Sequence, residues 1–214
     1  MHRSSNRVAA QAIIFGTLGF RASLEVTDHP RSKTLCSQLL PWLEQLNLGT
    51  RIEEFHREIL ETPFRELPRE FQTEAVWRGE SASFLGWAIQ MFDRPNPTVS
   101  TDLGLLVSNL SLLQPNVSQM ISSASLRPQL EINEYCAFCL SVRNHFQVSA
   151  LQKNGQAVLN RIHQARLAEL GLSEAVCQLK ATELEAVLAS PATSVKGLYV
   201  VRGLAAEWLL GKDE

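Results

Sequence analysis

Between Glu74 and Phe92 the apolar positions return with the period of an α-helix. Trp77, Phe84, Trp87 and Met91 are spaced by seven, three and four residues and share one side of a helical cylinder; Leu85 and Ala88 widen the stripe. Gly86 and the small residues at 81–83 suit the close approach of a neighbouring helix. The pattern predicts a central, Trp-rich packing helix over 74–92. Glu80 falls inside its apolar stripe, where a carboxylate needs a partner.

The same period recurs along the chain. Val8, Ala12, Phe15 and Gly19 trace a first helix, capped by Ser4 or Ser5 and stopped at Gly19. Leu24 and Val26 alternate with polar residues, so 20–27 is the one place for a short strand. Leu35, Leu39, Trp42, Leu43 and Leu46 define a helix over 32–47, which Pro41 is expected to kink or divide. Thr50-Arg51-Ile52-Glu53 has the form of a capping box opening a short helix to about Leu60. Pro95 and Pro97 mark the sharpest break, a hinge or an ordered loop at 93–101. Beyond it the pattern predicts helices over 102–113, 117–121, from Pro128 to about Leu151, 158–170, 173–189, and from Thr193 or Ser194 to the end.

These elements add up to an all-α fold. We expect about eight or nine helices in one domain, 1–214, around the Trp-rich helix, with at most one short strand. Trp42, Trp77, Trp87 and Trp208 are its expected structural core.

Size and charge narrow the field. A chain of 214 residues buries about 70% of its unfolded surface, so neither a disulfide nor a metal is needed for stability. The net charge is −2, without a basic stripe that would track phosphates, which argues against nucleic acid. No apolar run reaches the ~20 residues that span a bilayer. Arg3 and Arg7 ahead of 8–20, with Ala22-Ser23 beyond, imitate a signal peptide, but Gln11 interrupts the run and the helical face favours a cytoplasmic protein. Cys36, Cys136, Cys139 and Cys177 are too scattered for a disulfide framework and are expected to be reduced and buried.

Few residues are spaced for chemistry. Cys136-Ala-Phe-Cys139 has redox or zinc spacing, but no second pair completes a zinc set and the motif sits inside a helix. Glu53-Glu54-Phe55-His56 contains the Glu-x-x-His of di-iron bundles, but there is no second copy; His56 is expected to be exposed and solvated. Gly-x-Ser-x-Gly and a phosphate loop ending in Lys-Ser or Lys-Thr are missing. No metal and no cofactor are expected. Glu80 is the group to watch. Arg143 and Arg202 occupy two other core helices, and one of them is the expected partner of Glu80, in a buried pair or in a ligand pocket.

Trp77-Arg78-Gly79-Glu80, then Leu85-Gly86-Trp87-Ala88, then Pro95, resembles the central pattern of the bacterial domain of unknown function 4272 family. Trp42-Leu43 before Leu48, with 51–60 after it, is similar to that family's upstream helices. Leu126-Arg127-Pro128, Glu131-Ile132 and Arg143 are similar to its Leu-Arg-Pro helix. Val201-Arg202 and 205–209 resemble its closing motif, departing from it at Ala206-Glu207. The resemblance covers roughly residues 8–210 and implies a bacterial helical protein without an assigned activity.

The function expected from these readings is non-catalytic: binding a protein partner or a second copy, in a regulatory or immunity-like role. The alternative is an enzyme or small-ligand binder with its site between helices around Glu80, Arg143 and Arg202.

Overall fold

The computed structural model describes residues 3–27, 29–148 and 192–211, together with Ala165, Ala168 and Val187. The protein is all-α. Among the described residues there are eight α-helices, one 3-10 turn and no strand: α1 Ser5–Val26, α2 Ser32–Gln45, the 3-10 turn Gly49–Arg51, α3 Glu54–Glu61, α4 Arg69–Ala88, α5 Leu103–Asn109, α6 Val117–Ser123, α7 Gln129–Val148 and α8 Ala192–Leu209. The helices expected at 158–170 and 173–189, and Cys177, lie outside the described residues apart from the three alanine and valine positions named above. No helix among the described residues is long and apolar enough to cross a membrane.

The chain packs as two compact units. One comprises Ser4–Pro95 and Thr101–Ser125; the other comprises Met1–Arg3, Asn96–Ser100 and Leu126–Glu214.

The first unit is built on α1 and α4, which cross antiparallel through small residues. Gly16 faces Ala82, and a Cβ added to Gly19 would stand 2.7 Å from Cα of Gly79. Leu103, Leu106 and Leu110 close over this crossing from α5. Gly19 is therefore not a helix stop. It lets two backbones touch in mid-helix, where packing outweighs the low helix propensity of glycine. Nor is 20–27 a strand: α1 continues to Val26 with Arg21, Ala22 and Leu24 buried.

In α4 the expected one-sided stripe, Trp77 to Met91, falls mostly in the second half and is not one-sided there. From Gly79 to Ala88 every residue is buried, so this half is a core helix on all sides. Trp87 is fully buried and lies 5.8 Å from the ring of Phe84, whereas Trp42, Trp77 and Trp208 are only half-buried. The helix also ends four residues early. Gln90 takes φ 66°, its N–H reaches the Trp87 carbonyl, and the Met91 N–H reaches that of Gly86, closing a Schellman motif without glycine. Asn47 and Ser111 end α2 and α5 in the same way.

Two further expectations change. Pro41 does not divide α2; it and Ser37, whose carbonyl would take its missing N–H, are both on the exposed side of the helix. Thr50 does not cap α3. Residues 49–51 form a 3-10 turn, and α3 starts after Glu53 without a side-chain cap.

The second unit is organised by α7 and α8. Phe138 meets Tyr199 edge-on at 5.6 Å, and Arg143 lies across Gly203. These contacts advance together along both helices, so the two run parallel. Cys136 and Cys139 are buried in α7, as is Cys36 in α2. Arg3 joins this unit: its Nε donates to the Trp208 carbonyl at 2.7 Å, and its guanidinium sits 4.6 Å over the Trp208 ring.

Candidate functional site

The three groups singled out in the sequence have defined roles inside their own units. Glu80 is 2% exposed. Its carboxylate accepts the Thr101 backbone N–H and the Thr101 hydroxyl, the latter at 3.0 Å. It thereby fixes the residue before Asp102, which caps α5 through the Gly104 N–H at 2.8 Å. Arg143 makes a fork-to-fork pair with Glu207, Nη1 to Oε2 at 2.8 Å and Nη2 to Oε1. Arg202 is fully buried and donates to the carbonyls of Asn96 at 2.7 Å and Val99 at 3.3 Å. Asn96 in turn accepts the N–H groups of Thr98 and Val99 on Oδ1, so the 96–100 segment is ordered from both sides.

A buried ion pair that the sequence reading missed lies in α1. Arg21 pairs with Glu25 one turn on, and its Nη2 donates to the carbonyls of Thr62 at 2.9 Å and Pro63 at 3.2 Å. Glu25 accepts the Arg65 N–H at 3.0 Å, holding Arg65 at φ 69°. The pair thus pins the α3–α4 loop to α1. Burial pushes the Cys36 thiol up; Arg21 opposes this and Glu25 adds to it.

The most concentrated chemistry is on α3 and the start of α4. His56, expected to be solvated, is 1% exposed. Its Nδ1 lies 3.4 Å from Glu53 Oε2 and its Nε2 lies 3.8 Å from Glu74 Oε1. The ring stands edge-on to Phe15 at 5.8 Å. The reason for burial is the face it occupies: His56, Ile59 and Leu60 make the inward side of α3. The two carboxylates address opposite ring nitrogens, so they do not converge on one point. Among the described residues no group of three His, Cys, Asp or Glu is placed to hold a metal ion. Glu74 also receives Arg78 Nε at 2.6 Å, and Arg78 lies 4.9 Å over the Phe15 ring. The nearby His56 imidazole, and after it the charge and hydrogen bond of Arg78, hold the Glu74 carboxyl below its usual 4.5 against an opposing effect of burial.

A depressed carboxyl stabilises the fold in full above its unfolded value and loses that contribution as the pH falls through the folded one. We therefore expect Glu74→Gln to lose less stability than the wild type between pH 5 and pH 3. Urea midpoints at both values check this; equal losses would refute the role of Glu74.

Outside this buried layer, Phe55 is 42% exposed and meets the half-buried Phe71 edge-on at 4.9 Å. The stretch 53–74 holds seven glutamates and three arginines. Arg57 is turned to Glu44 at 3.1 Å and to the Gly49 carbonyl at 2.9 Å. Arg65 lies 5.3 Å over Phe64. Glu54, Glu58, Glu66 and Glu70 are exposed and have no basic partner among the described residues. Two hollows lie along α2: one of about 320 Å³ lined by Trp42, Pro41 and Leu113, and one of about 380 Å³ lined by Glu44, Thr50 and Arg57. Neither contains Glu80, Arg143 or Arg202 in its lining.

No family model, no curated protein and no solved structure matches this chain.

Proposed function

We propose that the chain is a non-catalytic protein-interaction module of a cytoplasmic bacterial protein, with a regulatory or immunity-like role. Membership of the domain of unknown function 4272 family belongs to the same proposal. The observation that carries the reading is the Phe55–Phe71 pair, an aromatic anchor presented to solvent on a rigid helical base. Exposed aromatics on such a base are the side chains on which binding energy concentrates. The bonding of the buried charges agrees with it. Glu80 bonds Thr101, Arg143 bonds Glu207, Arg202 bonds two carbonyls and Arg21 bonds Glu25, and each contact fixes backbone or helix register.

The test is a tagged pull-down from the native host at low salt, with mass spectrometry of the eluate. A stoichiometric protein partner is expected for the wild type and a loss of most of it for Phe55→Ser. Phe55 is an exposed residue, so the variant should keep its helical circular dichroism. An eluate without any partner, from wild type and variant alike, would overturn the reading.

A further inference from the structure

We infer that the partner presents a basic, amphipathic segment, and that it docks on the outer face of α3 and the first turns of α4. The inference rests on the interaction-module reading and adds the chemistry of the partner to it.

Three observations meet on this face. The first is apolar: Phe55 is the exposed member of an aromatic pair with Phe71, so a partner finds a ring already held in place. The second is charge. Glu58 lies three residues beyond Phe55 and shares its side of α3, with Glu54 next to Phe55; Glu70 precedes Phe71 on α4. These carboxylates have no basic partner among the described residues, and Glu66 in the connecting loop has none either. Arg57 is engaged with Glu44 and the Gly49 carbonyl, so against these four charges stand Arg69 at the first position of α4 and Arg65 in the connecting loop; with seven glutamates and three arginines the stretch 53–74 carries a net −4. The chain as a whole carries only −2, so negative charge is gathered here rather than spread. The third is rigidity. Beneath the face, His56, Glu74, Arg78 and Phe15 form one closely packed layer, tied by the Arg78–Glu74 bond, that holds α3 against α1 and α4.

An aromatic anchor with an acidic rim complements a helix with apolar residues on one side and Lys or Arg on the other. The apolar contact supplies affinity. The rim selects the sign of the partner and speeds encounter in a salt-dependent way. A neutral or acidic segment would leave the four carboxylates facing each other or facing like charge.

The probes are two designed amphipathic peptides of equal length, one of leucine and lysine, one of leucine and glutamate. Binding is read by fluorescence anisotropy and located by amide chemical-shift changes. The Leu/Lys peptide should bind, shift amides of α3 and the start of α4, and weaken as salt rises; the Leu/Glu peptide should not bind. Phe55→Ser and the triple reversal Glu54→Lys, Glu58→Lys, Glu70→Lys should each weaken the Leu/Lys peptide by roughly tenfold or more. Asp93→Lys with Glu134→Lys removes the same kind of charge elsewhere and should leave affinity within about twofold. No binding of the Leu/Lys peptide, shifts located elsewhere, or equal weakening by the control pair would overturn the inference. The pull-down separates its failure from that of the module reading. A host partner that survives the triple reversal but not Phe55→Ser keeps the module and removes the basic segment. An empty wild-type eluate removes the module itself.

Discussion

Gly19→Ala should destabilise the fold by about 2 kcal/mol, although alanine is the better helix former. In a free helix the change would gain about 1 kcal/mol. Here the added Cβ would meet Gly79 Cα at 2.7 Å, Leu106 Cδ1 at 2.9 Å and Gly79 N at 3.3 Å. A leucine tip can swing aside, but the α4 backbone cannot. Relief requires α1 and α4 to separate along the crossing that Leu103, Leu106 and Leu110 cover. Overpacking of this kind costs about 1–3 kcal/mol and more where backbone must move, which outweighs the propensity gain. Gly104→Ala is the matched control, since its nearest contact is the Asp102 carboxylate at 3.1 Å on an exposed cap. It should stay within about 0.5 kcal/mol of wild type. Denaturant midpoints followed by circular dichroism decide the matter. A Gly19→Ala protein as stable as wild type would show that the crossing yields.

Arg21→Met should cost more, about 3–5 kcal/mol, because it removes one member of a buried pair and leaves the other charged. Glu25 loses its guanidinium in a place where its side chain is only 8% exposed. The carbonyls of Thr62 and Pro63 lose their donor at the same time. Glu25→Gln alone should be milder, since an amide oxygen still accepts the Arg65 N–H. In the Arg21→Met background that same change should recover stability, because no charge is then stranded. The cycle is expected to be non-additive by more than about 1 kcal/mol. Additive losses would mean that the pair is solvated and that the carbonyl bonds dominate.

These two sites also show how far the sequence could be read. The helical period of the apolar residues was enough for the all-α class and for the placement of the Trp-rich helix, because periodicity is local. It also put Glu80 on a buried side of α4. What it lacked was everything defined by a second segment. Gly19 reads as a stop until Gly79 is seen against it. Arg21 and Glu25 sit in a stretch whose alternation imitates a strand, and only the 62–65 loop shows why a charge is kept there. His56 looks solvated beside three nearby glutamates, yet its helix has no other face to turn inward with Ile59 and Leu60. Glu80 was legible as a carboxylate in need of donors; the Thr101 N–H and hydroxyl, 21 residues on, were not. The end at Asn47 was legible, whereas those at Gln90 and Ser111 were unreadable for a simpler reason: the left-handed residue in each is neither glycine nor asparagine.

The pairing of helices has a consequence for how the chain folds. In each unit the principal helix pair joins partners sixty residues apart in sequence, Gly19 with Gly79 and Arg143 with Gly203. Neither pair is joined by a short turn. Loop closure must therefore precede most of the burial that rewards it. Helical proteins of low contact order fold within microseconds to milliseconds because their neighbours in space are neighbours in sequence. This chain forgoes that advantage twice, so its refolding should be slow for an all-helical protein, with α1 and α4 each waiting on the other.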